Sequence, residues 1–400
     1  MERSSAHRTP GDPVAGMALP VYIVCGGTGG HLAPGIATAQ RLIRAGISVE
    51  LVVSEKEVDS RLLESYPDLN YRRVKGAPFR LSPKGLFLFV LHNTRSFISG
   101  FQYLRKNPPA MILAFGGFIS VSYVIAAWLL KVPIVLHEAN RVVGRSIRFL
   151  SGMADTVFLP DGVSLAGIEA RRIRRLGMPL REEVKHVSKE TIRREMDIPH
   201  HAKVLVVVGG SQGAKALNDW VEETHKSLAS DGIWIILVTG PGKNQMPELK
   251  VLQSDMGVDV EIRTFAFHRS LHELFSCADV VLSRAGAGTV AELVCCLAPS
   301  ILVPFPYAAD DHQLANAQDL ERRGGCIVID QKNSSNLYRE VLDLIFNDWL
   351  LGRMRQNLRR LNHGDAAENL TKQLIESYYP GHLRATAVEN STEAKEAVNG

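Results

Sequence analysis

The sequence lacks the roughly 20 clean apolar residues that a spanning helix requires. Its longest apolar stretch, 118–136, is interrupted by Lys131 and Pro133 and reads as a helix followed by a strand. Cysteine is scarce. Cys25, Cys277, Cys295, Cys296 and Cys326 are odd in number and show no C-x-x-C spacing, which argues against a disulfide framework or structural zinc and fits a reduced cytosolic compartment. An excess of either charge is also missing. A net charge of +4 gives no case for nucleic-acid binding. The first twenty residues have no apolar core and so do not read as a signal peptide. Residues 1–19 are expected to form a disordered extension, and Met17 serves as a start as well as Met1 does. The dinucleotide fingerprint is absent too, since it needs glycines at i, i+2 and i+5. Counting from Gly27, the third position is Leu32; counting from Gly26, the second is Thr28. NAD and FAD are disfavoured, and no cofactor is expected.

What remains is an ordinary globular composition, 46% hydrophobic and 22% charged over 400 residues, long enough for two domains. The first half alternates apolar strands (Val21–Val24, Val49–Val53, Met111–Ala114, Ile134–His137, and Thr156–Phe158 as the last) with helices over Leu32–Ala45, Val58–Tyr66, Phe89–Lys106 and Ser120–Leu130. The second half repeats the plan, with strands at Lys203–Val208, Trp234–Val238, Val260–Arg263, Val280–Leu282, Ile301–Val303 and Cys326–Ile329. Strands spaced by helix-length segments predict two α/β domains with doubly wound parallel sheets facing a central cleft. The expected boundaries are 20–181, completed by a closing helix over 366–378, then 182–365, with a disordered tail over 380–400.

Polar residues collect at the predicted strand ends. Val21–Val24 runs into GGTGGH, where the absence of Cβ atoms lets a phosphate or sugar approach the backbone and the following helix start supplies N–H donors. A packing turn with a capping histidine, His31, is the alternative. Gly116 and Gly117 form a second such turn. HEAN, from His137 to Asn140, reads either as a satisfied strand-end network or as a metal site, and the divergent directions of neighbouring His and Glu disfavour metal. In SRAGAGTVAEL a second helix start carries Glu292, placed either to accept from a ribose diol or to close a capping box. In DDHQLANA, Asp310 and Asp311 read as helix caps or divalent-ion ligands, with Gln313 and Asn316 on one face. Finally, Phe79, Phe87 and Phe89 lie with Lys84 in FRLSPKGLFLFVL, which reads as a buried helix start or as an apolar patch with a basic rim that meets a membrane, Trp128 joining it.

GGTGGHLAPGIA, HEAN, GGSQGA, SRAGAGTVAE and DDHQLANA, in this order over about 21–377, resemble the MurG family of peripheral membrane glycosyltransferases (family 28, GT-B fold). The resemblance implies transfer of N-acetylglucosamine from UDP-GlcNAc to the C4 hydroxyl of undecaprenyl-pyrophosphoryl-N-acetylmuramoyl-pentapeptide (lipid I), with inversion, without metal, at the cytoplasmic face of the bacterial inner membrane. It implies cell-wall or division proteins as partners. It gives Thr28, Gly29 and Gly30 to the loop facing donor and acceptor, and makes His31 a candidate base, with Glu138 or a water as alternatives. Gly116 and Gly117 belong to an acceptor-diphosphate loop. Asn140, Arg181, Ser211, the uracil-side Ala266, Ala287, Gly288, Thr289, Val290, Ala291, Glu292 and Gln313 match donor positions. Ala114 and Phe118 depart from the family's usual glycine and tyrosine, Met178 from its asparagine, and Ala266 from its isoleucine. Other readings are a different GT-B UDP-sugar transferase, a UDP-GlcNAc 2-epimerase, or a non-catalytic UDP-sugar-binding scaffold.

Overall fold

The computed structural model describes residues 19–380 except 28, 57–59, 61, 76–82, 211–213, 244–245 and 363, with the backbone alone given over 83–93. The extension expected over 1–19 and the tail over 380–400 lie outside the described residues, apart from Leu19 and Pro380.

The first sheet contains β1 (Val21–Val24), β2 (Val49–Ser54), β3 (Tyr71–Val74), β4 (Met111–Ala114), β5 (Ile134–His137), β6 (Thr156–Leu159) and β7 (Ile173–Arg175), in the order β3-β2-β1-β4-β5-β6-β7. Every pairing is parallel. The second sheet contains β8 (Lys203–Val208), β9 (Ile233–Val238), β10 (Leu249–Gln253), β11 (Asp259–Phe265), β12 (Val280–Ser283), β13 (Ser300–Leu302) and β14 (Cys326–Val328), in the order β10-β11-β9-β8-β12-β13-β14. Only β10 runs antiparallel to its neighbour among these described strands.

Both sheets are covered on both faces, which is why their central strands are continuous apolar runs. Along β1, Val21 and Ile23 enter one core cluster while Tyr22 and Val24 enter the other. Along β8, Val204, Val206 and Val208 point one way and Leu205 and Val207 the other. Three strands depart from the expectation. β3 and β7 extend the first sheet at its two edges, so Thr156–Leu159 is not its last strand, and β10 adds an antiparallel edge to the second. Of the helix expected over Val58–Tyr66, residues 58, 59 and 61 lie outside the described residues.

The helices that position the site are α1 (Gly29–Arg44), α2 (Pro83–Lys106), α3 (Phe118–Leu129), α4 (Arg145–Leu150), α5 (Lys189–Glu195), α6 (Lys215–Ser230), α7 (Leu271–Cys277), α8 (Ala287–Cys295) and α9 (His312–Arg322). After α10 (Leu337–Ile345) and α11 (Asp348–Leu361), α12 (Ala366–Tyr378) returns to the first sheet, where Leu370, Leu374 and Ile375 share a cluster with Val21, Ile23 and Leu32. No helix among the described residues is long and apolar enough to cross a membrane.

Candidate active site

In parallel sheets the carboxyl ends of all strands open on one side, and the candidate residues gather there. β1 runs through Cys25 into Gly26 and Gly27, and α1 begins at Gly29, three residues before the predicted start. Gly29 and Gly30 therefore form the first turn of a helix, whose leading N–H groups have no partner within it. The turn is tight for a steric reason. A Cβ on Gly26 would fall well inside van der Waals contact with the Ser54 nitrogen, and one on Gly35 would collide with Cys25. Gly27 takes a φ of +108°, which favours glycine. Lys56 steadies it, donating to the Gly27 carbonyl at 2.8 Å with its ammonium 5.1 Å from the centre of the Phe118 ring. Thr28 lies outside the described residues.

The His31 ring sits against the second glycine turn. A Cβ on Gly117 would lie 3.4 Å from His31 Nδ1 and one on Gly116 3.6 Å from His31 Nε2. Both glycines adopt left-handed φ values of +92° and +80°. Ser146 ties the turn down by accepting from Gly117 N at 3.2 Å.

HEAN forms the strand-end network. His137, fully buried, bonds the Gly177 carbonyl through Nε2 at 3.0 Å, and burial pushes its pKa down to about 4 against the raising effect of that carbonyl. Glu138 Oε1 accepts from Asn140 N at 2.8 Å and Asn140 Nδ2 at 2.9 Å, and Oε2 accepts from Gly144 N at 2.7 Å. Glu138, considered above as a base, has both oxygens committed to closing its own loop. Asn140 then reaches the second domain, its Oδ1 accepting from Asn316 Nδ2 at 3.1 Å. Asn316 completes the crossing by accepting from Arg141 N at 2.8 Å and donating to Ala285 O at 3.1 Å.

Across the cleft, α8 starts after Gly286 with no side-chain cap, so Glu292 does not close a capping box. Ala287, Gly288, Thr289, Val290, Ala291 and Glu292 are all half-buried. Glu292 lies 3.6 Å from Arg181 Nη2. Burial raises its pKa, and Arg181 offsets part of that rise. Arg181 is held by the Tyr66 hydroxyl at 3.0 Å and by Glu183 at 3.3 Å. Met178 approaches Gly288, where an added Cβ would meet its Cε at 3.5 Å. Gln313 uses Oε1 to accept from Phe305 N at 3.0 Å and Ala285 N at 3.3 Å, which orients its amide nitrogen away from those donors. Ala266 is exposed just past β11, and Ser211 lies outside the described residues. The aspartates act neither as a cap nor as an ion site: Asp311 makes no cap bond, and Asp310 faces arginines. Among the described residues no group of three or more His, Cys, Asp or Glu is placed to hold a metal.

Of the apolar patch, Phe79 lies outside the described residues, and Lys84, Phe87 and Phe89 are placed only as positions on α2. Trp128 is 52% exposed. It lines a cavity of about 830 Å³ with Lys131, Arg171 and Arg174.

The arrangement is thus two helix N-termini meeting across one cleft, a histidine on one side and a carboxylate and an amide on the other. Models of two halves of one family match the chain: the glycosyltransferase family 28 N-terminal domain over residues 21–159 and the C-terminal domain over 204–370. The chain belongs to glycosyltransferase family 28. Within this family it is 47% identical, over 88% of its own length and 94% of the other's, to the Opitutus terrae protein named UDP-N-acetylglucosamine--N-acetylmuramyl-(pentapeptide) pyrophosphoryl-undecaprenol N-acetylglucosamine transferase. A Desulfotalea psychrophila protein of the same name is 32% identical over 89% of this chain and 96% of its own. The fold matches the crystal structure of Acinetobacter baumannii MurG with a TM-score of 0.68 at 22% identity, covering 90% of this chain and 99% of that one. A putative UDP-N-acetylglucosamine 2-epimerase from Listeria monocytogenes shares the fold at a TM-score of 0.62 and 13% identity, covering 91% of this chain and 97% of its own. The family 28 assignment and the two parallel-sheet domains agree with the sequence reading. The crossing made by Asn316, the packing of Met178 on Gly288 and the arginines facing Asp310 were not anticipated, because each depends on how one domain meets the other.

Proposed function

We propose that this family 28 enzyme transfers N-acetylglucosamine from UDP-GlcNAc to the C4 hydroxyl of the lipid-linked N-acetylmuramoyl-pentapeptide, with inversion. The observation that carries the reading is the His31 ring seated on the Gly116–Gly117 turn, across the cleft from the uncapped start of α8. His31 takes the proton of the acceptor hydroxyl as the general base. The hydroxyl oxygen bonds to the anomeric carbon as the bond to the β-phosphate breaks, and the electron pair leaves with UDP. Charge developing on the diphosphate is met by the N–H groups of Ala287, Gly288 and Thr289 and by Ser211. Arg181 holds Glu292 for the ribose diol, and Gln313 reads hydroxyls of the sugar. Glu138 acts through Asn140, as a positioning residue. Leaving-group charge is met by protein donors, so the reaction runs without a divalent ion.

The acceptor is lipid-linked, and we place the membrane-facing surface at α2 and Trp128, where exposed Trp128, Leu129 and Phe149 lie with Lys131, Arg171 and Arg174 on the same domain. Anionic headgroups favour each such cation by about 1 kcal/mol, and the cytoplasmic leaflet of the inner membrane is the surface that presents this substrate to a UDP-sugar enzyme. Partners in cell-wall synthesis and division belong to the same reading.

The deciding experiment incubates the protein with radiolabelled UDP-GlcNAc and a short-chain lipid I analogue, with and without EDTA. Label entering the lipid fraction equally in both supports the reading. Donor binding without transfer refutes it, and release of free N-acetylmannosamine identifies an epimerase instead.

A further inference from the structure

Among the described residues several polar contacts join the domains, including the Asn140–Asn316 crossing, the Arg181–Glu292 pair and Arg141 Nη2 at 3.3 Å from Asp319 on α9, and a further one gathers two arginines of α4 on Asp310. Asp310, which precedes α9, takes Arg145 Nη2 at 2.7 Å on Oδ1 and Arg145 Nε at 3.1 Å on Oδ2, and Arg148 Nη2 at 3.0 Å also reaches Oδ2. Both arginines belong to α4, whose Ser146 secures the Gly117 turn. Asp310 and Asp311 both sit at a φ of +51°, in the left-handed region that favours glycine. Two consecutive strained residues need something to hold them, and the fork of arginines is placed to do so. The strained pair leads directly into Gln313 and Asn316 on α9.

We propose that Asp310 is a positioning residue: clasped by Arg145 and Arg148, it latches the start of α9 to the acceptor-side domain and so sets Gln313 and Asn316 for the sugar donor. The proposal rests on the transferase reading for its ligand. A carboxylate bound by a bidentate guanidinium and a second arginine exceeds an ordinary surface pair in geometry, yet all three side chains reach solvent, so its strength falls with salt. It therefore closes the cleft firmly enough to organise a ligand and weakly enough to reopen for product release.

Asp310→Asn is the cleanest probe, because asparagine tolerates the left-handed backbone and only the charge is lost. UDP-GlcNAc affinity, measured by calorimetry at 20 mM salt, is expected to fall about fivefold, the size of a good exposed ion pair, with an unchanged thermal midpoint. Arg145→Gln/Arg148→Gln should lose the same factor, the triple variant no more than either, and all differences should vanish at 1 M salt. Wild-type affinity in Asp310→Asn at low salt, or losses that add in the triple variant, overturns the latch. Small-angle scattering without ligand gives a second readout: a larger radius of gyration in Asp310→Asn supports it and an identical one refutes it. Failure of the wild type to bind UDP-GlcNAc would sink the transferase reading, and the scattering result would still decide the latch.

Discussion

The two halves of the molecule open with the same device, an apolar strand running into glycines, and use it differently. On the first domain the glycines are crowded: Cβ atoms on Gly26 and Gly35 would collide with neighbouring backbone or side chain, and those on Gly116 and Gly117 would touch the His31 ring. On the second they are open. Among the described residues a Cβ on Gly210 would meet nothing within 4 Å, and Gly286 and Gly288 have one neighbour each, at 3.9 and 3.5 Å. Crowded glycines bring protein close to protein and fix a histidine; open glycines leave backbone N–H groups facing space that a ligand can occupy. In the proposed reaction the difference divides the labour: the first domain would hold the reacting group, and the second would receive the charged donor.

The sharpest way to test that division removes the group the first domain exists to hold. His31→Ala should lower label transfer about 10²–10⁴-fold, the usual worth of a positioned base, while UDP-GlcNAc affinity measured by calorimetry stays within twofold of wild type. Turnover near the wild-type rate would end the base assignment. Next in size is the crowding itself. Gly26→Ala must push the backbone of β2 aside, and overpacking of this kind costs about 3 kcal/mol, whereas Gly210→Ala meets only its φ of +81° and should cost about 1 kcal/mol. Urea titration of the two variants compares them directly; equal losses would erase the contrast.

The same contrast explains what could be read in advance. β1, β4, β5 and β8 are buried on both faces, so an unbroken apolar run announces them. β3 reads YRRV and β7 reads IRR, and β10 alternates exposed and half-buried residues; each lies at a sheet edge with one side in water, so no apolar run marks it. α1 begins at Gly29 rather than Leu32 because glycines carry no helical signal, although nothing prevents them from occupying a first turn. His31, Glu292 and Gln313 were legible as polar residues at strand ends and helix starts. The commitment of Glu138 to its own loop was not, since it depends on the path of residues 140–144.

His137 links the crowded side to the connection between domains, and its protonation provides the next test. The ring is fully buried between Phe115 and Phe158, and its Nδ1 has no hydrogen-bond partner among the described residues. Its folded pKa, about 4, lies below the unfolded value near 6.5. Below pH 6.5 the unfolded chain takes up a proton that the folded one refuses, so stability is lost as pH falls toward 4. Between pH 7 and pH 5 the loss from this residue is about 2 kcal/mol. Urea midpoints at the two pH values, compared between wild type and His137→Gln, should show the slope reduced by that amount in the variant. An identical slope would mean that His137 takes up its proton equally in the folded and unfolded states.

The smallest effect falls on the open side and separates stability from binding most cleanly. Gly288 sits in the first turn of α8 without a left-handed φ, so nothing in its own conformation requires glycine. Alanine there gains up to about 1 kcal/mol of helix propensity, and its methyl group meets Met178 Cε at an ordinary 3.5 Å. Gly288→Ala should therefore leave the thermal midpoint unchanged or slightly raised. The same methyl group would stand beside the N–H groups assigned to the diphosphate, so UDP affinity should fall while uridine affinity does not. If UDP and uridine both bind as before, the diphosphate does not sit at the start of α8, and the openness of the second domain's glycines has some other purpose.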